Sequence, residues 1–268
     1  MTRHHMWFGT KERMAWVPCP AINVGMSSEG AGESGTYMGG GGYARNSADG
    51  HMVYEFSWNA NTRDEIYPIA DYATGVYGDG LIYFLDPFAM DTNVLPERWA
   101  APGKVDRWSA YLRQGTTPPT VTNTGANTLG LPVKTAQYAI SDNGRELWVP
   151  VPPGHTLHFA WIGSASGASV QVNGVAATPT AVGASGLTWN TYTTNATIRL
   201  WGTGTVNVAG MVAQVLPTGQ APTANGWVSG RGHSGCRFQG RPKVVGLSAA
   251  LDRVSARATL IETGDWEK

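Results

Sequence analysis

Between Leu147 and Val208 apolar residues fall at every second position five separate times. They are Leu147, Val149 and Val151 in RELWVPV, Leu157, Phe159 and Trp161 in HTLHFAWIG, Val170 and Val172 in ASVQVNG, Ile198 and Leu200 in ATIRLWG, and Val206 and Val208 in TVNVAG. Successive side chains of an extended chain point to opposite faces, so a period of two marks a strand with one face in a core. The runs are separated by turn residues, and the whole chain of 268 residues carries 35 Gly and 16 Pro. Short strands at turn-marked intervals predict an all-β sandwich or jelly roll, with few helices. The best helical spacing is a short turn near 104–114, where Val105, Trp108 and Leu112 recur.

The outer parts of the chain repeat the pattern. In HMVYEFSW, Met52, Tyr54, Phe56 and Trp58 alternate with Val53, Glu55 and Ser57. GLIYFL (80–85) is apolar without alternation, which suits a strand covered on both faces or one at an interface. At the C-terminus, Val245, Leu247, Ala249 and Leu251 share one face with Val254, Ala256, Ala258 and Leu260 across an Asp252-Arg253 turn. That is a hairpin, and a lone hairpin is marginal, so it is expected to complete the N-terminal sheet.

Charge divides the chain. Lys and Arg number 19 and Asp and Glu 19, yet from Leu147 to Gly230 the only one is Arg199. Linker-like stretches, LRQGTTPPTVTNTGANTLGLP and LPTGQAPTANG, flank the charge-poor region. The expected organisation is one discontinuous domain from 1–105 plus 222–268, with 106–221 inserted as a second β-sandwich.

Composition also excludes function classes. Formal net charge is zero without a Lys/Arg cluster, so the electrostatic footprint of a nucleic-acid binder is missing. No apolar run is long enough for a membrane span, and the charge pair in MTRHHMWFGTKERMAW argues against a secretory signal. Cys19 and Cys236 form neither a zinc nor a redox motif and are expected as free thiols. GAGESG (30–35) matches GxGxxG but runs into TYMGGGG rather than a helix, which removes the cofactor reading. The histidines of HTLH (155–158) face opposite ways on a strand and cannot share a metal, and GHSGC (232–236) is not a triad. Asp86, Asp91 and Glu97 lack any spacing argument for glycosidase chemistry, so no catalytic residue, metal or cofactor is expected.

Aromatics give the better functional argument. Trp148, Arg199 and Trp201 lie off the alternating apolar faces, and Trp189 and Tyr192 sit in GLTWNTYTTN. Exposed rings beside polar side chains suit sugar binding, since rings stack on apolar sugar faces and polar groups meet hydroxyls. In YFLDPFAMDTNVLPERWAAPG (83–103) an apolar strand leads into a proline-stiffened run, which reads as a segment laid across a neighbouring subunit. Tyr83 and Phe84 lie on its strand, and Phe88, Leu95 and Trp99 are its anchors.

YFLDPFAMDTNVLPERWAAP, GHSGCRFQG and VVGLSAALDRVSARATLIETGDW resemble the minor tail proteins of long-tailed phages of actinobacteria, in particular tail-tip proteins like the distal tail protein of siphophages. The resemblance covers both flanks, about half the chain. The central segment is similar to a carbohydrate-binding-module jelly roll. The resemblance implies a virion protein assembled in the host cytoplasm, not an enzyme. Its split-barrel or sandwich domain would form a sixfold or threefold ring that continues the tail tube, touching tube, tape-measure and hub proteins. The inserted domain would project outward toward host cell-wall glycan. A free carbohydrate-binding lectin and a glycan-degrading enzyme are the rival readings.

Overall fold

A computed structural model describes residues 5–20, 25–29, 32–36, 42–46, 51–103, 119–125, 128–141, 143–248 and 252–263. The helical spacing noted at 104–114 lies outside these residues. The fold is all-β and sandwich-like, built from antiparallel sheets, and no sheet among the described residues closes into a barrel. The chain divides into two units, Met1–Ile82 with Gly235–Lys268, and Tyr83–Ser234. The division falls at 82/83 and 234/235, so residues 83–103, grouped with the flanks on charge, are in the second unit.

In the first unit β1 (His5–Gly9) and β2 (Met14–Pro18) form a hairpin, and β4 (Gly32–Thr36) pairs with β5 (Gly42–Asn46). Most of GAGESG thus enters a strand. The main sheet has β17 (Arg253–Glu262) paired with β6 (His51–Thr62), and β6 with β3 (Gly25–Glu29). β15 (Cys236–Phe238) and β16 (Lys243–Ser248) share the other edge of β17. The expected alternation holds in β6 and β17, where Tyr54, Phe56, Trp58, Val254, Ala256, Ala258 and Leu260 are buried. The strand before the turn departs from it: Val245 is exposed, because the register sets it opposite Ser255 and not opposite a buried residue. Asp252 takes the left-handed conformation that the turn requires, at φ 47°.

A helix not evident from periodicity, α1 (Arg63–Ala73), packs on β2, β6 and β17 through Ile66, Ile69 and Tyr72. Its start is written in Thr62 and Glu65, for the Thr62 amide donates to the Glu65 carboxylate at 2.9 Å. Tyr72 is buried against Phe8 and Tyr77, and its hydroxyl has no hydrogen-bond partner among the described residues. Burial pushes its pKa up to about 12, with Arg13 opposing and Tyr77 adding to the shift. Cys236 is buried and Cys19 partly exposed, both as free thiols.

The second unit is organised by two long strands, β11 (His155–Val172) and β14 (Ala196–Pro217), paired from His155↔Pro217 to Val172↔Ile198. Register shifts at Ile162/Gly163 and around Gly167 bend the pair. On the other edge of β14 lie β9 (Lys134–Ile140), opposite 204–208, and β10 (Asn143–Val149), opposite 196–201. β8 (Thr120–Asn123) flanks β9, while β12 (Val175–Ala176) and β13 (Asn190–Tyr192) flank β11. Thr156–Ile162 and Val208–Leu216 are buried at every position, not alternately. Irregular chain covers the second face: Leu129 and Leu131 join Ile162 and Ala209 in one apolar cluster, with Leu187 and Trp227 against it.

The segment expected to lie on a neighbour lies instead on its own chain. β7 (Tyr83–Leu85) is followed by two short helices, α2 (Pro87–Thr92) and α3 (Glu97–Ala100), where an extended run was expected. Asp86 does stop the strand, as the N-cap of α2: its carboxylate accepts from the Ala89 amide at 2.9 Å, with Pro87 following. β9 ends opposite Val208, and beyond that point Asn93 meets β14. Its Oδ1 accepts from Ala213 N (3.0 Å) and Leu95 N (3.2 Å), and its Nδ2 donates to the carbonyls of Met211 (3.1 Å) and Val228 (2.8 Å). Val94 N donates to Ala213 O at 2.9 Å, and Arg231 N to Asn93 O at 2.9 Å. Gly232 must be glycine, since a Cβ there would run into the Val94 carbonyl.

Two outcomes follow from this packing. Asn93→Ala removes four hydrogen bonds at a fully buried site and is expected to lower the unfolding free energy by about 4 kcal/mol, at about 1 kcal/mol per bond, as read by urea titration. Tyr72 holds its proton more tightly folded than unfolded. The stability it contributes is complete below pH ~10 and lost as pH rises toward 12. Alkaline titration of Tyr72→Phe should therefore show a shallower loss than the wild type.

Candidate functional site

The outer face of the second unit is set by the registers of β10, β14 and β11. Leu147, Val149, Ile198, Leu200, Val170 and Val172 point into the core, which turns Glu146, Trp148, Thr197, Arg199, Trp201, Ser169 and Gln171 outward. Arg199 lies opposite Glu146 on β10 and Gln171 on β11, and Trp201 opposite Ser169. Arg199 donates from Nε (3.2 Å) and Nη2 (3.1 Å) to Gln171 Oε1, and its guanidinium lies 4.1 Å above the centre of the Trp201 ring. Gln171 is itself oriented, with its Nε2 3.3 Å from Ser169 Oγ. Among the described residues Arg199 has no ion pair, although exposed Glu146 faces it across the strand pair, where Cβ atoms stand about 5 Å apart.

The other expected sugar-binding residues are not part of this cluster. Trp148 is outward-facing but meets the edge of Tyr83, ring centres 4.5 Å apart. Trp189 and Tyr192 belong to the β13 region: Tyr192 pairs with Leu157, and Trp189 stands edge-on to His158 at 6.4 Å. Burial raises the Tyr192 pKa. The five expected rings and cations thus fall in three places, with Arg199 and Trp201 alone brought together.

Four of the five expected interface residues are buried by the chain itself, namely Tyr83, Phe84, Leu95 and Trp99. Leu95 and Trp99 cannot anchor in a neighbour because they fill this unit's own core. Phe84 stacks on His233, whose ring nitrogens face the carbonyls of Phe84 and Ser234. Phe88, on the open side of α2, is 63% exposed and remains available.

Two of the three carboxylates considered for hydrolysis serve backbone. Asp86 caps α2, and Glu97 accepts from Gly230 N at 2.9 Å. Asp91 engages Gln214 through its backbone carbonyl. Ser234 is buried and accepts from Arg98. Among the described residues no group of three or more His, Cys, Asp or Glu is placed to hold a metal ion, and no helix is long and apolar enough to cross a membrane.

The residue that sequence reasoning undervalued is His158. It is 7% exposed, it sits beside Gln214 on β14 and Thr191 on β13, and neither ring nitrogen completes a hydrogen bond among the described residues. Burial lowers its pKa, and the nearby backbone of Gln220 offsets that in part. Gln214 beneath it is saturated, donating to Asp91 O and Thr223 Oγ1 and accepting from the amides of Thr223 and Ala224.

No known protein family matches the chain, and no curated protein or solved structure is similar to it.

His158 sets a pH dependence. Its folded pKa lies below the ordinary 6.5, so the stability it contributes is present above pH ~6.5 and lost on acidification as the unfolded chain takes up the proton first. His158→Phe should flatten the loss of stability below that pH in urea titrations. An unchanged acid slope would remove His158 from the account.

Proposed function

We propose that the protein is a non-enzymatic structural component of a siphophage tail tip, akin to a distal tail protein. In this reading the unit Met1–Ile82 with Gly235–Lys268 makes the subunit contacts of a sixfold or threefold ring beside tube, tape-measure and hub proteins. The second unit meets host-surface glycan. The sequence resemblance of the two flanks motivates the reading, and one structural observation carries it: the way the second unit is inserted. Ile82 and Cys236 exchange backbone hydrogen bonds at 2.8 and 2.9 Å, so the first unit is continuous across the insertion. Entry and exit points that meet in this way suit one β unit that hosts another. A ring suits such a unit because head-to-tail contacts that close cover sheet edges subunit by subunit. Several copies of a weak sugar site on one ring would add avidity.

A free carbohydrate-binding lectin is the second reading, favoured by the Arg199 and Trp201 face. The two are separated by replacing Tyr83–Ser234 with a short Gly/Ser linker, the boundary that keeps Asn93 with β14. Light scattering is expected to give a closed oligomer of the same order for the full and the shortened chain, and peptide mapping of purified tails to find the protein. A full chain that stays monomeric at high concentration and is absent from tails would sink the tail reading.

A further inference from the structure

We infer that the face formed by Glu146, Arg199 and Trp201 is a subsite for an uncharged, polyhydroxylated sugar ring, with Arg199 as donor, Glu146 as acceptor and Trp201 as the stacking surface. The inference rests on the reading of the second unit as the glycan-facing part, and it deepens that reading by naming the class of sugar.

Arg199 is the one Lys, Arg, Asp or Glu between Leu147 and Gly230, and it is held rather than free. Gln171 occupies Nε and one hydrogen of Nη2, and the guanidinium carbon stands 4.1 Å from the centre of the Trp201 ring. A guanidinium has five N–H donors and no acceptor, so the hydrogens of Nη1 and the second of Nη2 are left for a ligand. The turn at Asn173-Gly174 runs beside the Nη2 edge and brings no side chain against it from Gly174. The place where a Cβ on Gly174 would stand is 3.7 Å from Nη2, and glycine leaves it empty. Gln171 cannot rotate away cheaply, since Ser169 holds its amide.

Glu146 decides the class. It faces Arg199 across the strand pair without an ion pair among the described residues, so one face offers a fixed donor beside a carboxylate that only accepts. A carboxylate or phosphate on a ligand would be drawn to Arg199 and repelled by Glu146. A hydroxyl suits both, because it accepts from the guanidinium and donates to the carboxylate at once. Adjacent hydroxyls of a sugar ring present this pattern. The part of the mostly buried Trp201 ring that Arg199 does not cover takes the apolar sugar face.

The test uses the full chain and tryptophan fluorescence titration with neutral glucan, galactan and mannan hexasaccharides, set against an oligogalacturonate of equal length. The wild type is expected to bind at least one neutral hexasaccharide and to take the oligogalacturonate at least tenfold more weakly, with little change in affinity between low and high salt. Trp201→Ala and Arg199→Gln should each lose at least tenfold for the neutral sugar, with circular dichroism and melting temperature showing that they fold. Phe88→Ala, away from this face, should bind as the wild type does. Glu146→Gln should narrow or reverse the preference against the oligogalacturonate. Binding of none of the neutral sugars, a wild-type preference for the acidic one, or unchanged binding in folded Trp201→Ala overturns the inference. Tail incorporation of the same variants separates the two proposals: a protein found in tails that binds no sugar ends this inference alone, and a sugar binder absent from tails ends the tail reading alone.

Discussion

The second unit depends on one primary amide. β14 is covered by β9 only as far as Val208, and an uncovered strand edge leaves backbone donors and acceptors without partners. Asn93 meets that edge as a short piece of strand would, accepting from Ala213 N and donating to Met211 O. The same amide reaches Leu95 N and Val228 O, so one side chain ties β14, the turn into α3 and the 222–232 segment together. Its burial is complete, and a fully satisfied buried amide is worth more to uniqueness of structure than to net stability. Trp227 then closes over Gly210, with its indole N–H on Ala100 O at 2.7 Å.

That arrangement explains why 83–103 reads as an interface. Apolar anchors, prolines that limit the chain's freedom and a scattering of polar groups are what any extended segment needs in order to dock. The physics is the same whether the surface belongs to another subunit or to residues more than a hundred positions further on, as Asn93 and Ala213 are. Sequence composition identifies a docking segment without identifying its dock. Phe88 differs from the buried Leu95 and Trp99 in standing on an exposed side of α2, and no periodicity in a six-residue helix announces that.

Elsewhere legibility follows the range of the interactions. The strands of β6, β10, β11, β14 and β17 were readable because alternation is local. Register is not local, and Val245 falls on the other face for that reason, while the alternation expected through Thr156–Ile162 is lost because irregular chain covers the second face. α1 was missed although Thr62 and Glu65 mark its start, since Pro68 and a strand-like neighbourhood masked the period. In the candidate site Arg199 and Trp201 were visible as residues off an apolar stripe. Glu146 and Gln171 were not, because their relevance comes only from which strands pair with β14. His158 reads as half of a failed metal motif, while its burial without a hydrogen-bond partner among the described residues is a property of packing.

The ion pair that Arg199 does not make among the described residues is as informative as the contacts it makes. An ion pair with Glu146 was geometrically near at hand, and it would have neutralised both charges on the face while burying part of each. An exposed pair returns little, about 0–1 kcal/mol, so it does not dictate the arrangement. The guanidinium instead donates to an amide oxygen along one edge and stands over an indole, two neutral groups that hold it without cancelling its charge. Glu146 stays hydrated beside it. A face built in this way keeps donor and acceptor separately available, to water or to the hydroxyls of a ligand.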